Sequence, residues 1–373
     1  MKWETRQLGD VADLCLGKML DEKKNKGEPL PYLANINVRW GEFALENLRE
    51  MRFEDREKER YGLKFGDIVM CEGGEPGRCA IWKEPVAGMT VQKALHRIRP
   101  HSCLDYRFLY YSFLARGRAG GFDALFTGST IKHLPKQNLV KVEINFPKLA
   151  IQQRIGDFLS TYDDLIENNL RRVALLEESA RLLYREWFVR LRFPGHEHTK
   201  IVDGVPHGWE RQPLGDCVTL HYGKALKAEE RIEGDYPVYG SSGIVGSHEK
   251  PLVKGPAIVL GRKGNVGSVY WSSKSFHPID TVYFVAPEES DLYLYYALLD
   301  MHFISTDVAV PGLNRELAYS RPLLRPAAAL VRNFLETIAP IHHQIDKLEE
   351  MNQKLRNARD LLLPRLMSGE LAV

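Results

Sequence analysis

The sequence predicts an α+β fold: two mixed, mainly β domains in tandem pseudo-repeat, separated by two long antiparallel helices that pair like a coiled coil. Three observations predict it. The chain repeats itself in order, each copy opens with short β-rich runs between Gly and Pro, and each copy closes on a long run with helical apolar spacing. At 373 residues, 44% hydrophobic and 27% charged, the chain can fill two cores, which excludes a disordered or fibrous class.

The repeat comes first because it fixes the domain order. Trp3, Glu4, Leu8, Gly9, Asp10, Gly17, Lys18 and Leu20 recur at an offset of 206 as Trp209, Glu210, Leu214, Gly215, Asp216, Gly223, Lys224 and Leu226. Ile68, Val69, Gly74 and Gly77 recur at an offset of 190 as Ile258, Val259, Gly264 and Gly267, so the second copy has a shorter loop. Pro147, Ile166, Leu176, Leu182 and Leu183 recur at an offset of 179 as Pro326, Ile345, Leu355, Leu361 and Leu362. The expected boundaries are a first globular domain at 1–147, a central helix at 148–193, a linker at 194–207, a second globular domain at 208–326 and a C-terminal helix and tail at 327–373.

Within the globular copies, runs such as 257–260, 266–271 and 281–285 read as strands. The segments 106–114 and 291–299 read as brief helices whose crowded tyrosines are core packing rather than a binding surface. The apolar residues Ile151, Ile155, Phe158, Tyr162 and Leu165, and later Val173, Leu176, Ala180, Leu183 and Trp187, step mostly by three and four. The second helix follows suit through Val331, Phe334, Ile338, Ile341, Ile345 and Leu348, then Asn352, Leu355, Leu362 and Leu366. About 40 residues at 1.5 Å each gives a rod on the order of 60 Å. Pro340 falls inside the second run, where a kink or division is expected. Asp163-Asp164 and Glu177-Glu178 are expected on a solvated outer face.

Composition restricts function more than it reveals it. The formal charge is only +2; residues 1–147 hold 24 Lys and Arg against 20 Asp and Glu, and no other segment leans basic. A nucleic-acid partner would therefore be gripped by local clusters, with other proteins sharing the phosphate contacts. Five cysteines without CxxC spacing suggest reduced thiols, not a disulfide framework or zinc site. Charges at 1–10 and the lack of a long apolar stretch lead us to expect a cytoplasmic chain with no membrane partner. Gly17-Lys18 and Gly223-Lys224 lack the hydroxyl residue of a phosphate loop, no methyltransferase Asn/Asp-Pro-Pro-aromatic tetrapeptide occurs, and His196, His198, His342 and His343 have no third ligand nearby. No catalytic residue, metal site or bound cofactor is expected.

The Gly-rich turns are the informative loops. Arg262, Lys263 and Asn265 lie in the turn 261–267 after a strand; Arg suits guanine, Asn suits adenine, and Lys suits phosphate or guanine. The matching turn 71–77 carries Glu72 and Glu75, able to accept from a cytosine amino group. Ser129, Thr130 and Lys132 in one loop, and Tyr239, Ser241 and Ser242 in another, add groups that suit phosphates or base edges. Lys18, Asn35, Asn37, Arg39, Gln92 and Lys93 complete the candidate DNA surface of the first copy, as do Lys224, Asn314 and Arg315 in the second.

These motifs together resemble the specificity subunits of type I restriction-modification enzymes. The resemblance rests on the twice-used Trp-x4-Leu-Gly-Asp opening and the Gly-rich turn after an Ile-Val strand. It also rests on Ile151-Gln-Gln-Arg-Ile155, on 182–188, and on the C-terminal run 361–371, and it covers essentially the whole chain. The second helix departs from it at 327–332, where alanines replace the glutamines. The resemblance implies that the chain is non-catalytic and that each copy is a target-recognition domain reading one half of a split double-stranded DNA target. It implies helices that set the spacing and dock two modification subunits, which methylate adenine with S-adenosylmethionine. Restriction subunits using ATP and Mg would join the same complex. The alternatives are a specificity module of another DNA-modification or defence system, or a structural adaptor with protein-binding heads.

Overall fold

The computed structural model describes residues 3–21, 25–303 and 312–372. The first copy holds β1 (Glu4–Gln7), β2 (Ala12–Leu16), β3 (Glu28–Leu33), β4 (Arg49–Phe53), β5 (Ile68–Cys71), β6 (Cys79–Ile81), β7 (Thr90–Val91), β8 (Leu95–Pro100) and β9 (Glu143–Phe146). Its helices are α1 (Leu8–Val11), α2 (Asp55–Tyr61), α3 (Tyr106–Arg118) and α4 (Lys136–Leu139), and α5 (Leu149–Tyr184) follows. A hairpin of β10 (Ile201–Val202) and β11 (Val205–Pro206) leads to the second copy. That copy has β12 (Glu210–Pro213), β13 (Leu220–Tyr222), β14 (Tyr236–Gly240), β15 (Gly243–His248), β16 (Ala257–Gly261), β17 (Val269–Ser272), β18 (His277–Pro278), β19 (Val282–Val285) and β20 (Pro322–Arg325). Its helices are α6 (Leu292–Asp300) and α7 (Arg315–Tyr319), with α8 (Ala328–Met367) at the end.

The same topology is built twice. A four-stranded sheet runs β2-β8-β5-β6 in one copy and β13-β19-β16-β17 in the other. A three-stranded sheet runs β4-β3-β7 and β15-β14-β18, with a parallel pairing of β3 to β7 and of β14 to β18. The two-stranded ribbons β1-β9 and β12-β20 close each copy. The continuous apolar runs of β5 and β16 fit strands buried on both faces. Ile68 and Met70 enter one core and Val69 and Cys71 another, just as Ile258 and Leu260 are parted from Ala257 and Val259. Asp105 and Asp291 cap α3 and α6 through their carboxylates. Tyr110, Tyr111, Tyr293 and Tyr296 on these helices are buried, as core packing requires.

The chain divides into two compact units, one comprising Met1–Asn168 with Asn352–Val373 and the other Asn169–Met351, so each long helix contributes to both. In the first unit Ile155 and Leu159 pack into one core with Leu363 and Leu366. In the second, Ala180 and Tyr184 join Leu330, Phe334 and Ile338, while Val173 and Leu176 meet Ile341, Ile345 and Leu348. Rising numbers on α5 meet falling numbers on α8, so the pairing is antiparallel in each unit. Leu183, Trp187, Leu355, Leu362 and Tyr162 are half-buried, whereas Phe158 is 39% exposed and sets its ring edge-on to Tyr162.

Two expectations are corrected in part. Of the kink or division expected at Pro340, the division is absent: α8 is a single element. Phe334 and Ile338 before the proline, and Ile345 and Leu348 after it, are all buried in the second unit. Their packing outweighs the one backbone hydrogen bond that proline removes. Asp163 is not a solvated acid either. It accepts from the Tyr111 hydroxyl at 2.6 Å and pairs with Arg359, which also binds Asp360. Asp164 does face solvent and pairs with exposed Lys83 at 3.1 Å.

Candidate nucleic-acid interface

Each copy wires its Gly-rich turn to two neighbouring segments in the same way. In the first, the turn leaves β5 with the Gly77 amide on the Cys71 carbonyl at 3.0 Å. Gly77 has φ +91, and a β-carbon there would stand 2.9 Å from the Phe122 ring, so only glycine fits. The Asn35 carbonyl accepts from Arg78 Nη2 at 3.0 Å, and the Leu134 amide donates to the Glu72 carbonyl at 2.7 Å. His133 bridges to Gly73, and its Nδ1 lies 3.0 Å from the Glu72 carboxylate.

In the second copy the Gly267 amide donates to the Gly261 carbonyl at 2.9 Å. The Ser241 carbonyl takes the place of Asn35, accepting from Ser268 Oγ at 2.6 Å and from the Tyr270 hydroxyl at 3.1 Å. The Leu313 amide donates to the Arg262 carbonyl at 2.8 Å, and Lys263 bridges to Gly312. The scaffold is thus repeated while the side chains on it differ.

Arg262 and Arg315 apart, the residues marked in the sequence as a candidate DNA surface fall into three groups. Three are buried and have structural jobs. Lys18 is 4% exposed, its ammonium 2.5 Å from Glu57 and 2.7 Å from the Arg52 carbonyl. Tyr239 packs against Phe276, and Ser241 supports the Gly-rich turn. A second group is bound to its own loop. Asn35 and Asn37 bond to nearby backbone, Arg39 donates to the Ile36 carbonyl at 2.8 Å, Gln92 accepts from the Ala94 amide, and Asn314 caps α7. The third group faces solvent: Lys93, Ser129, Thr130 and Lys132 in the first copy, and Lys224, Ser242, Lys263 and Asn265 in the second. Lys132 lies over the Phe126 ring at 5.8 Å.

Arg262 does not project freely from its turn. Its guanidinium stacks over Tyr222 at 4.9 Å and donates to the Asp280 carbonyl at 3.0 Å. Arg315 stacks over the same ring at 5.3 Å, so Tyr222, half exposed, gathers two cations from separate segments. Burial pushes the neighbouring Tyr283 hydroxyl up, Tyr222 adds to this and Arg262 opposes it. Sequence reasoning missed Tyr222, whose counterpart at the offset of 206 is Leu16 and carries no such signal. It also missed two exposed apolar side chains in the first copy's loops, Ile36 at 59% and Ile131 at 63%.

Among the described residues, no three His, Cys, Asp or Glu side chains are grouped to hold a metal. Burial pushes the Cys71 and Cys79 thiols up, which keeps them protonated. Among the described residues, no helix is long and apolar enough to cross a membrane.

A family model for the type I restriction modification DNA specificity domain matches residues 1–178 and 206–316, one stretch in each copy. The chain belongs to this family. It is a non-catalytic specificity subunit, and its role is DNA-target recognition in a type I restriction-modification complex. The chain is 22% identical over 408 residues to the type I restriction enzyme MjaIX specificity subunit of Methanocaldococcus jannaschii, covering 100% of this chain and 94% of that one. It is also 22% identical over 349 residues to the HindI specificity subunit of Haemophilus influenzae, covering 70% and 74%. The crystal structure of a type I restriction-modification S subunit from M. genitalium shares the fold, with a TM-score of 0.55 at 21% identity over 98% of this chain and 96% of that one.

Proposed function

We propose that the first copy reads one half of a bipartite DNA target and the second copy the other, with α5 and α8 setting the gap between them. The observation that carries this reading is the twice-built turn scaffold with exchanged side chains: Glu72, Gly73 and Glu75 in one copy stand where Arg262, Lys263 and Asn265 stand in the other. One fold used twice with different chemistry suits two different half-sites. On this reading the solvent-facing candidates above supply base and phosphate contacts, and the helices also dock two modification subunits. Those subunits carry S-adenosylmethionine and methylate an adenine flipped from the duplex. Restriction subunits with ATP and Mg complete the assembly.

Helix length makes the spacing part testable. At 36 and 40 residues, α5 and α8 are about 54 and 60 Å long. One helical turn is about 5.4 Å and one base-pair step about 3.4 Å. Matched four-residue insertions after Ala174 and at Gln353 should move the gap by about one or two base pairs while both half-sites stay the same. The readout is the sequence around methylated adenines produced by the reconstituted complex. An unchanged gap in a folded, active variant overturns the spacing role.

A further inference from the structure

In the first copy the polar side chains around residue 36 are occupied in holding their own loop. Asn35 Oδ1 accepts from the Ile36 amide at 3.0 Å, and Arg39 Nη1 donates to the Ile36 carbonyl at 2.8 Å. Asn37 Oδ1 accepts from the Ala34 amide at 2.9 Å, while its Nδ2 donates to the Ala44 carbonyl at 3.0 Å. The loop is anchored to the Gly-rich turn by Arg78 on the Asn35 carbonyl and by Asn35 Nδ2 on the Gly73 carbonyl. Ile36 thus has both backbone polar groups tied down and its side chain 59% exposed.

A single exposed isoleucine is ordinary on a protein surface. What distinguishes this one is its setting. The matching place in the second copy is Ser242, next to the Ser241 carbonyl that does the work of Asn35. There the connection between strands is the turn 241–242, whereas the first copy uses residues 34–48. The longer connection puts a rigid apolar tip beside the turn where the other copy has a hydroxyl. On the major-groove edge of a base pair the thymine 5-methyl is the apolar feature that distinguishes one base from the rest.

We propose that Ile36 is a specificity-determining residue of the first recognition domain and selects a thymine in its half-site by contact with the 5-methyl group. This rests on the reading that the first copy contacts DNA. Asn35, Asn37 and Arg39 act as positioning residues for it.

The test uses the complex assembled from the full chain and its modification subunits, on the target duplex read from its own methylated adenines. Each thymine is replaced in turn by deoxyuridine, which removes only the methyl group. At one position in the first half-site, the wild-type complex should lose about fourfold in affinity, the worth of one buried methyl. Ile36→Ala should weaken binding to the thymine duplex and lose nothing further on the deoxyuridine duplex. Ile36→Ser, which copies the second domain, should behave like Ile36→Ala with an unchanged thermal midpoint. The inference is overturned if no deoxyuridine position in the first half-site weakens the wild-type complex, or if the loss is as large in Ile36→Ala. Glu75→Lys separates this from the underlying reading. If it alters the first half-site while the methyl scan shows no coupling to Ile36, the Ile36 assignment alone falls. If it alters neither half-site nor affinity and the methyl scan also shows no coupling to Ile36, both fall.

Discussion

Asp163 and Asp164 are neighbours on one helix, yet their removal should have very different consequences. Asp163 accepts from the hydroxyl of Tyr111, which is 1% exposed, and neutralises Arg359, whose side chain is 11% exposed. Asp163→Ala strands that hydroxyl and leaves Arg359 with Asp360 as its remaining acidic partner. Losing a hydrogen bond to a charged group costs about 1.5 to 3 kcal/mol, and breaking a buried ion pair up to about 5. Because Asp360 stays in place, about 2 to 4 kcal/mol is the expected loss. Asp164 pairs with Lys83 at 62% and 51% exposure, so Asp164→Ala should cost at most about 1 kcal/mol. The assay is urea unfolding of the two variants, with hydrogen exchange followed on peptides from α3, which carries Tyr111. Equal midpoints for the two variants, or unchanged protection of α3 in Asp163→Ala, would refute the reasoning.

Three further outcomes are expected. Arg262→Ala should lose about 1 to 3 kcal/mol of binding and relax one base of the second half-site if the stacked guanidinium reaches a base; equal weakening on every sequence marks a phosphate contact instead. Pro340→Ala restores a backbone donor inside α8 and should raise the urea midpoint of the second unit by the equivalent of about 1 to 3 kcal/mol; a lowered midpoint means that the packing depends on the proline. Burial raises the Asp360 carboxyl, but hydrogen bonds from Arg118 and Arg359 outweigh it and hold it below its ordinary value of 3.8. Its contribution is therefore complete above 3.8 and is lost as pH falls from there through the depressed value, so acid unfolding of the first unit should be flatter over that interval in Asp360→Asn.

The repeat made the architecture legible. Offsets of 206, 190 and 179 belong to β2 and β13, to the Gly-rich turns, and to the paired helices, and the structure gives these pairs equivalent places. Side-chain roles were less legible, because they depend on neighbours that the pattern does not contain. Lys18 and Lys224 are identical in the repeat, yet Lys18 is buried against Glu57 of α2 while Lys224 is exposed. Asp163 reads as a surface acid until α3 brings Tyr111 to it. Pro340 reads as a break because local propensity ignores the burial of Phe334 and Ile345 on either side. In the candidate loops, polarity alone did not reveal what each side chain is bonded to. Asn35, Asn37 and Arg39 have the chemistry of base readers, but a loop as long as 34–48 needs internal hydrogen bonds, and these residues supply them. Tyr222 and Ile36 carried no such mark.

The most direct test of the account exchanges residues 208–326 for the corresponding domain of a specificity subunit with a different target and sequences the adenines methylated by the reconstituted complex. Two independently reading copies predict that one half-site changes to that of the donor, while the other half-site and the gap stay as they were. A change in both half-sites, or in neither, from a folded and active complex would contradict it.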